Sequence, residues 1–167
     1  KLTVITHWHW DHTFGMHAIS GLSLANELTN KHLKEAAQKI KDEGEEAFLS
    51  LDETIRREYA DSKPVIVTLS DMTFSGEMMI DAGNCPVKIF QAQSPHTDDS
   101  TLVFVPDDRV LIMGDCTGGQ FPTWEVDQTL ADRLADTIQK IDADICLPGH
   151  WTPLSKEYII KDLREGE

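Results

Sequence analysis

Residues 7–12 read His-Trp-His-Trp-Asp-His, four side chains able to bind a metal within six positions. They follow an apolar, β-branched run, Leu2-Thr3-Val4-Ile5-Thr6, which predicts a buried strand. Residues two apart on an extended backbone point the same way, so His7 and His9 can grip one ion. Asp11 and His12 fall where the chain leaves the strand and can turn toward a second ion. Imidazole nitrogen and carboxylate oxygen together suit zinc, with iron or manganese as alternatives. The competing explanation is a coincidental histidine-rich loop.

Further ligand types downstream argue against coincidence, because each has its own strand context. His96 lies in Ser94-Pro95-His96-Thr97-Asp98-Asp99-Ser100, after the strand-like Val87-Lys88-Ile89-Phe90. Asp115 ends the apolar run Leu111-Ile112-Met113-Gly114. His150 follows Ile145-Cys146-Leu147-Pro148-Gly149. Strand ends and the turns after them are where an α/β sheet presents its chemistry.

This set resembles the metallo-β-lactamase superfamily: the His-x-His-x-Asp-His signature, a lone His, an Asp after Gly, and a final Gly-His. The resemblance runs from residue 2 to about residue 151. It implies a four-layer αββα sandwich in which His7, His9 and His96 hold a first metal. Asp11, His12 and His150 hold a second, and Asp115 bridges the two. The implied cofactors are two zinc ions, with iron or manganese as alternatives. In the superfamily several strands precede the signature strand, whereas this sequence begins almost on it at Lys1. The expected domain, 1–167, is therefore N-terminally incomplete and carries a helical insertion at about 26–62 beside the active-site mouth.

The resemblance implies a metal-dependent hydrolase. Two ions roughly 3.5–4 Å apart would hold a hydroxide nucleophile, with Asp11 orienting it. Asp98 and Asp99 could orient ligating histidines or simply close the turn after His96. Trp10 and Trp151 are candidate walls of an apolar substrate pocket, whereas Trp8 should face the core. His9 stands where the metal-reducing di-iron branch has Glu. Asp115 stands where Cys-ligand β-lactamases have Cys, and Gly118 where they carry a substrate-binding Lys. The expectation is a small-molecule ester, thioester or lactone, in a glyoxalase II-like or lactonase-like branch. An iron-dependent persulfide dioxygenase-like oxidoreductase and a non-catalytic metal-binding fragment are the alternatives.

Composition narrows the partners. The formal charge of −14 opposes phosphate backbones, so no nucleic-acid partner is expected. No apolar stretch approaches the ~20 residues of a membrane span. Cys85, Cys116 and Cys146 form no paired spacing, which favours a reduced, cytoplasmic setting. Cys116 is read as an inert thiol rather than a ligand, and the sequence carries no signal of oligomeric state.

Periodicity places a helix at 29–43 ended by Gly44, with His32 facing solvent from its first turn, and a second helix near 52–59. A short helix is expected to open at 13–17. Strands are expected at 22–25, 65–68, 77–81, 87–91, 101–105 and 110–113. A helix at 127–141 carries a Thr129-x-x-Asp132 capping pattern, and Ser155 caps a last helix to Arg164.

Overall fold

The computed structural model describes residues 1–166, which form two compact units, one of residues 1–73 and one from residue 74 onward. Their elements are α/β in class, as expected.

In the first unit β1 (Leu2–Val4) pairs in parallel with β2 (Leu22–Asn26), Leu2 opposite Leu22 and Val4 opposite Leu24. Strand β3 (Met72–Phe74) completes a sheet of order β1-β2-β3. Between β1 and β2 lie α1 (Trp10–Thr13) and a 3-10 turn at Met16–Ala18, so the expected short helix starts earlier than its apolar residues imply. Helix α2 (Glu27–Glu43) begins where Asn26 Oδ1 accepts from Leu28 N, and stops at Gly44, whose φ of 86° no β-carbon-bearing residue adopts readily. Helices α3 (Glu45–Leu49) and α4 (Glu53–Glu58) follow. Leu33, Ala25, Ile5, Phe14 and Met16 form the buried core, with Trp8, Val65 and Val67 packed against it.

Residues 65–68 are not a strand, contrary to the expectation for this β-branched run. Val65 and Val67 are half-buried and Ile66 exposed, so the pattern records one apolar face without a ladder. Side chains fasten the end of this segment instead. Asn30 Oδ1 accepts from Ser70 N and Oγ at 2.9 and 3.0 Å, and Asp71 Oδ2 accepts from Ser23 N and Oγ at 2.7 and 2.8 Å.

The second unit is built on a six-stranded sheet in simple sequence order: β4 (Glu77–Asp81), β5 (Pro86–Gln91), β6 (Thr101–Val105), β7 (Val110–Gly114), β8 (Ile145–Pro148) and β9 (Leu154–Ser155). All neighbours are antiparallel except β7 and β8, which α5 (Gln128–Gln139) joins as a parallel crossover. Helix α6 (Lys156–Glu165) packs on α5 and is capped by Ser155, as expected. Leu134, Ala135 and Ile138 of α5 meet Leu102, Leu111, Met113 and Cys146 of the sheet in one buried core. A fully buried Leu such as Leu134 contributes roughly 1.5–3 kcal/mol by transfer from water. The N-cap of α5 is Asp127, not Thr129, because the Asp127 carboxylate takes the first free amides, those of Thr129 and Leu130.

Candidate metal centre

The first unit contributes the signature loop. His7 and His9 leave β1 on alternate positions and lie with ring centroids 4.8 Å apart, 1% and 8% exposed. Trp8 between them points the other way, onto the unit's core. His9 is the residue before α1, so Asp11 and His12 sit on its single turn and swing back toward the histidines. The His12 ring lies 4.1 Å from that of His7, and His12 Nε2 is 3.3 Å from Asp11 Oδ2.

Thr13, which the sequence reading passed over, holds this turn. It is buried, and its hydroxyl lies 2.8 Å from the carbonyls of both Trp8 and His9. A threonine four residues after the strand-leaving residue was the available signal. His32 is not solvent-facing: α2 starts earlier than expected, which puts His32 in its second turn, half-buried with its ring 5.5 Å from that of Trp8.

The second unit contributes His96, Asp115 and His150. His96 sits in a turn closed by hydroxyls, with Ser94 Oγ 2.7 Å from Ser100 Oγ and Thr97 Oγ1 donating to Asp99 Oδ1 at 2.8 Å. Asp99 is fully buried, and it closes this turn as one of the two expected roles has it. His96 itself is 2% exposed, with Nδ1 2.8 Å from the Gly119 carbonyl. Asp115 and His150 follow β7 and β8, and parallel neighbours end on the same edge of a sheet. The register shifts between Ile112 and Gly114, Gly114 has a φ of 55°, and Gly149 N donates to Gly114 O at 2.9 Å. That irregularity turns the two side chains together, His150 Nε2 3.1 Å from Asp115 Oδ2.

Residues 1–150 match the family model described as the metallo-beta-lactamase superfamily. The chain belongs to the metallo-β-lactamase superfamily. Members are mostly metal-dependent hydrolases, and the His and Asp residues above are this member's candidate metal-binding groups.

Solved structures share its fold. A metallo-β-lactamase from Pontibacter korlensis aligns with a TM-score of 0.66 at 20% identity, covering 99% of this chain and 67% of that one. The DIM-1 metallo-β-lactamase exposed to ceftazidime aligns with a TM-score of 0.63 at 23% identity, covering 97% and 64%. A metallo-β-lactamase from Hirschia baltica aligns with a TM-score of 0.58 at 16% identity, covering 99% and 67%. This superfamily member thus spans about two thirds of the length of the structures it matches. Comparison with curated proteins finds no match.

Two further sequence expectations can be placed. Cys116 is buried in the core of the second unit, and burial pushes its thiol up, away from the thiolate a metal would take. Trp10 packs, half-buried, on the core of the first unit, whereas Trp151 is 78% exposed. Among the described residues no helix is long and apolar enough to cross a membrane.

Proposed function

We propose that this protein is a dinuclear, zinc-dependent hydrolase of a small-molecule ester, thioester or lactone. The observation that carries the reading is the ligating side chains each unit gathers: His7, His9, Asp11 and His12 on the loop after β1, and His96 with the Asp115–His150 pair in the second unit. In this reading His7, His9 and His96, three buried imidazoles, serve one ion, and Asp11, His12, Asp115 and His150, more open and half carboxylate, serve the other. The donor chemistry fits the ion: nitrogen and carboxylate oxygen, in sets of three and four, suit zinc in a site that keeps a position for water. Iron and manganese are the competing ions, and Asp115 could serve both sites. A bound zinc would supply Lewis acidity, lowering the pKa of a water and polarising the substrate oxygen.

The chain's own groups do the rest. Asp11, the exposed residue of the α1 turn, has a carboxylate that can take and orient a proton of the attacking water. Thr13 keeps that turn from unwinding. His150, 58% exposed beside Asp115, lies at the accessible side, where a leaving group departs. Trp151 and the open part of Trp10 offer apolar surface for an acyl chain. The carboxylate at 115 and the glycine at 118 favour a glyoxalase II-like or lactonase-like branch. A net charge of −14 favours a small substrate over a polyanion.

Elemental analysis of protein purified without added metal tests the reading, followed by an Asp11→Asn variant screened on esters, thioesters and lactones. Two zinc ions per chain are expected, with turnover lost in Asp11→Asn while metal is retained. A single iron would move the assignment to an oxidoreductase, and retained turnover in Asp11→Asn would remove the role given to Asp11.

A further inference from the structure

We infer that Gly118 and Gly119 are positioning residues for His96: their loop holds the imidazole in one tautomer, with Nδ1 protonated and Nε2 bare for a cation. The inference rests on the proposed reading of His96 as a metal ligand. His96 Nδ1 lies 2.8 Å from the Gly119 carbonyl oxygen. That oxygen carries no proton and can only accept, so the contact is a hydrogen bond only when Nδ1 donates. In the neutral ring the remaining lone pair is then on Nε2. The Thr6 hydroxyl, 3.2 Å from His7 Nδ1, can donate or accept and so does not by itself select a tautomer in the way a carbonyl does.

Both positions are short of space, 119 much more than 118. A β-carbon at 118 would stand 3.2 Å from His96 Nδ1 and 3.3 Å from the Asp115 carbonyl oxygen. One at 119 would stand 2.1 Å from the Trp124 carbonyl oxygen and 2.9 Å from that of Glu125, an approach that backbone cannot accommodate without moving. The loop is folded tightly on itself there. Gly118 N donates to Asp115 O at 2.8 Å, Trp124 N to Gln120 O at 2.7 Å and Gln120 N to Glu125 O at 2.9 Å. The Trp124 ring lies 6.4 Å from that of His96 and 25° from parallel. A side chain at 119 would push residues 120–125 away and carry the accepting carbonyl with them. Because this loop starts at Asp115, the turn that presents the carboxylate also orients the imidazole.

Long-range proton–nitrogen correlation spectra of the metal-free full chain, with labelled histidine at mildly alkaline pH, read the tautomer directly. His96 is expected as the Nδ1–H form in the unsubstituted protein and as a mixture in Gly118→Ala and Gly119→Ala. Zinc titration against a competing chelator should show ~10–100-fold weaker binding in both variants, the usual cost of removing such a partner. Gly15→Ala, where a β-carbon meets nothing within 4 Å, should bind as the unsubstituted protein does. If Gly119→Ala does not fold, Gly118→Ala carries the test, its closest approach being milder. An Nε2–H form of His96 in the unsubstituted protein, or glycine variants that keep both tautomer and zinc affinity, would overturn the inference. An unsubstituted protein that takes up no zinc removes the proposed function instead, and the tautomer is still read without metal.

Discussion

Replacing Asp127 by alanine should destabilise the second unit by about 1–2 kcal/mol. Its Oδ1 accepts from Thr129 N at 2.8 Å and Leu130 N at 3.2 Å, two of the amides that a helix start leaves unpaired. Loss of such a cap costs about 1 kcal/mol. Loss of a negative charge at the N-terminal end of the helix dipole adds about 0.3–1 kcal/mol. Asp127 is exposed, so no cavity adds to the sum. Asp127→Asn keeps the acceptor and should lose only the dipole part, about 0.3–1 kcal/mol. Thr129 is the second residue of α5 and exposed; its amide is the group being capped. Thr129→Ala should therefore stay within about 0.5 kcal/mol of the unsubstituted protein, alanine being the better helix former. Urea unfolding of the three variants measures the differences, and amide exchange at residues 129 and 130 reads the helix start locally. A Thr129→Ala cost equal to that of Asp127→Ala would refute the assignment, as would unchanged exchange in Asp127→Ala.

The amide and hydroxyl of Ser23 hold the Asp71 carboxyl below the usual carboxylate range. A depressed folded pKa gives stability that is present above the ordinary carboxylate pKa and lost as pH falls through the folded one. Asp71→Asn should thus be less stable at neutral pH and converge with the unsubstituted protein in acid; a gap in urea midpoints that does not narrow would contradict this. Burial, its largest cause, pushes the Cys146 thiol up to about 11 and raises that of Cys116 too. Iodoacetamide at mildly alkaline pH should label the half-exposed Cys85 and spare both until denaturant is added, as counted by mass spectrometry; early labelling of Cys116 would show its site to be open.

The legible parts of this chain are those in which chemistry restricts residue type. His7, His9, Asp11, His12, His96, Asp115 and His150 could be named as candidates because few other residue types bind a metal and apolar runs precede them. Strands β4 to β7 were readable because turn residues bound their apolar runs. Residues 65–68 misled because a β-branched apolar run reports burial, not which backbone lies alongside. The five-residue α3 is too short to show a period, and β9 shorter still. At α5 the Thr129-x-x-Asp132 pattern pointed to Thr129, and only the structure shows Asp127 taking the first free amides. His32 looked polar and outward on a helical wheel, but a wheel does not know that Trp8 lies beneath.

Gly118 shows how a residue read only as an absence acquires a physical meaning. From the sequence it counted as the lysine that Cys-ligand β-lactamases carry and this chain does not. In the structure a β-carbon at that position would crowd His96 Nδ1 at 3.2 Å and the Asp115 carbonyl at 3.3 Å. A side chain there, lysine included, needs the imidazole or the turn that begins at Asp115 to give by a few tenths of an ångström. Within the proposed site, the residue at 118 and the orientation of His96 are therefore coupled through one tight contact.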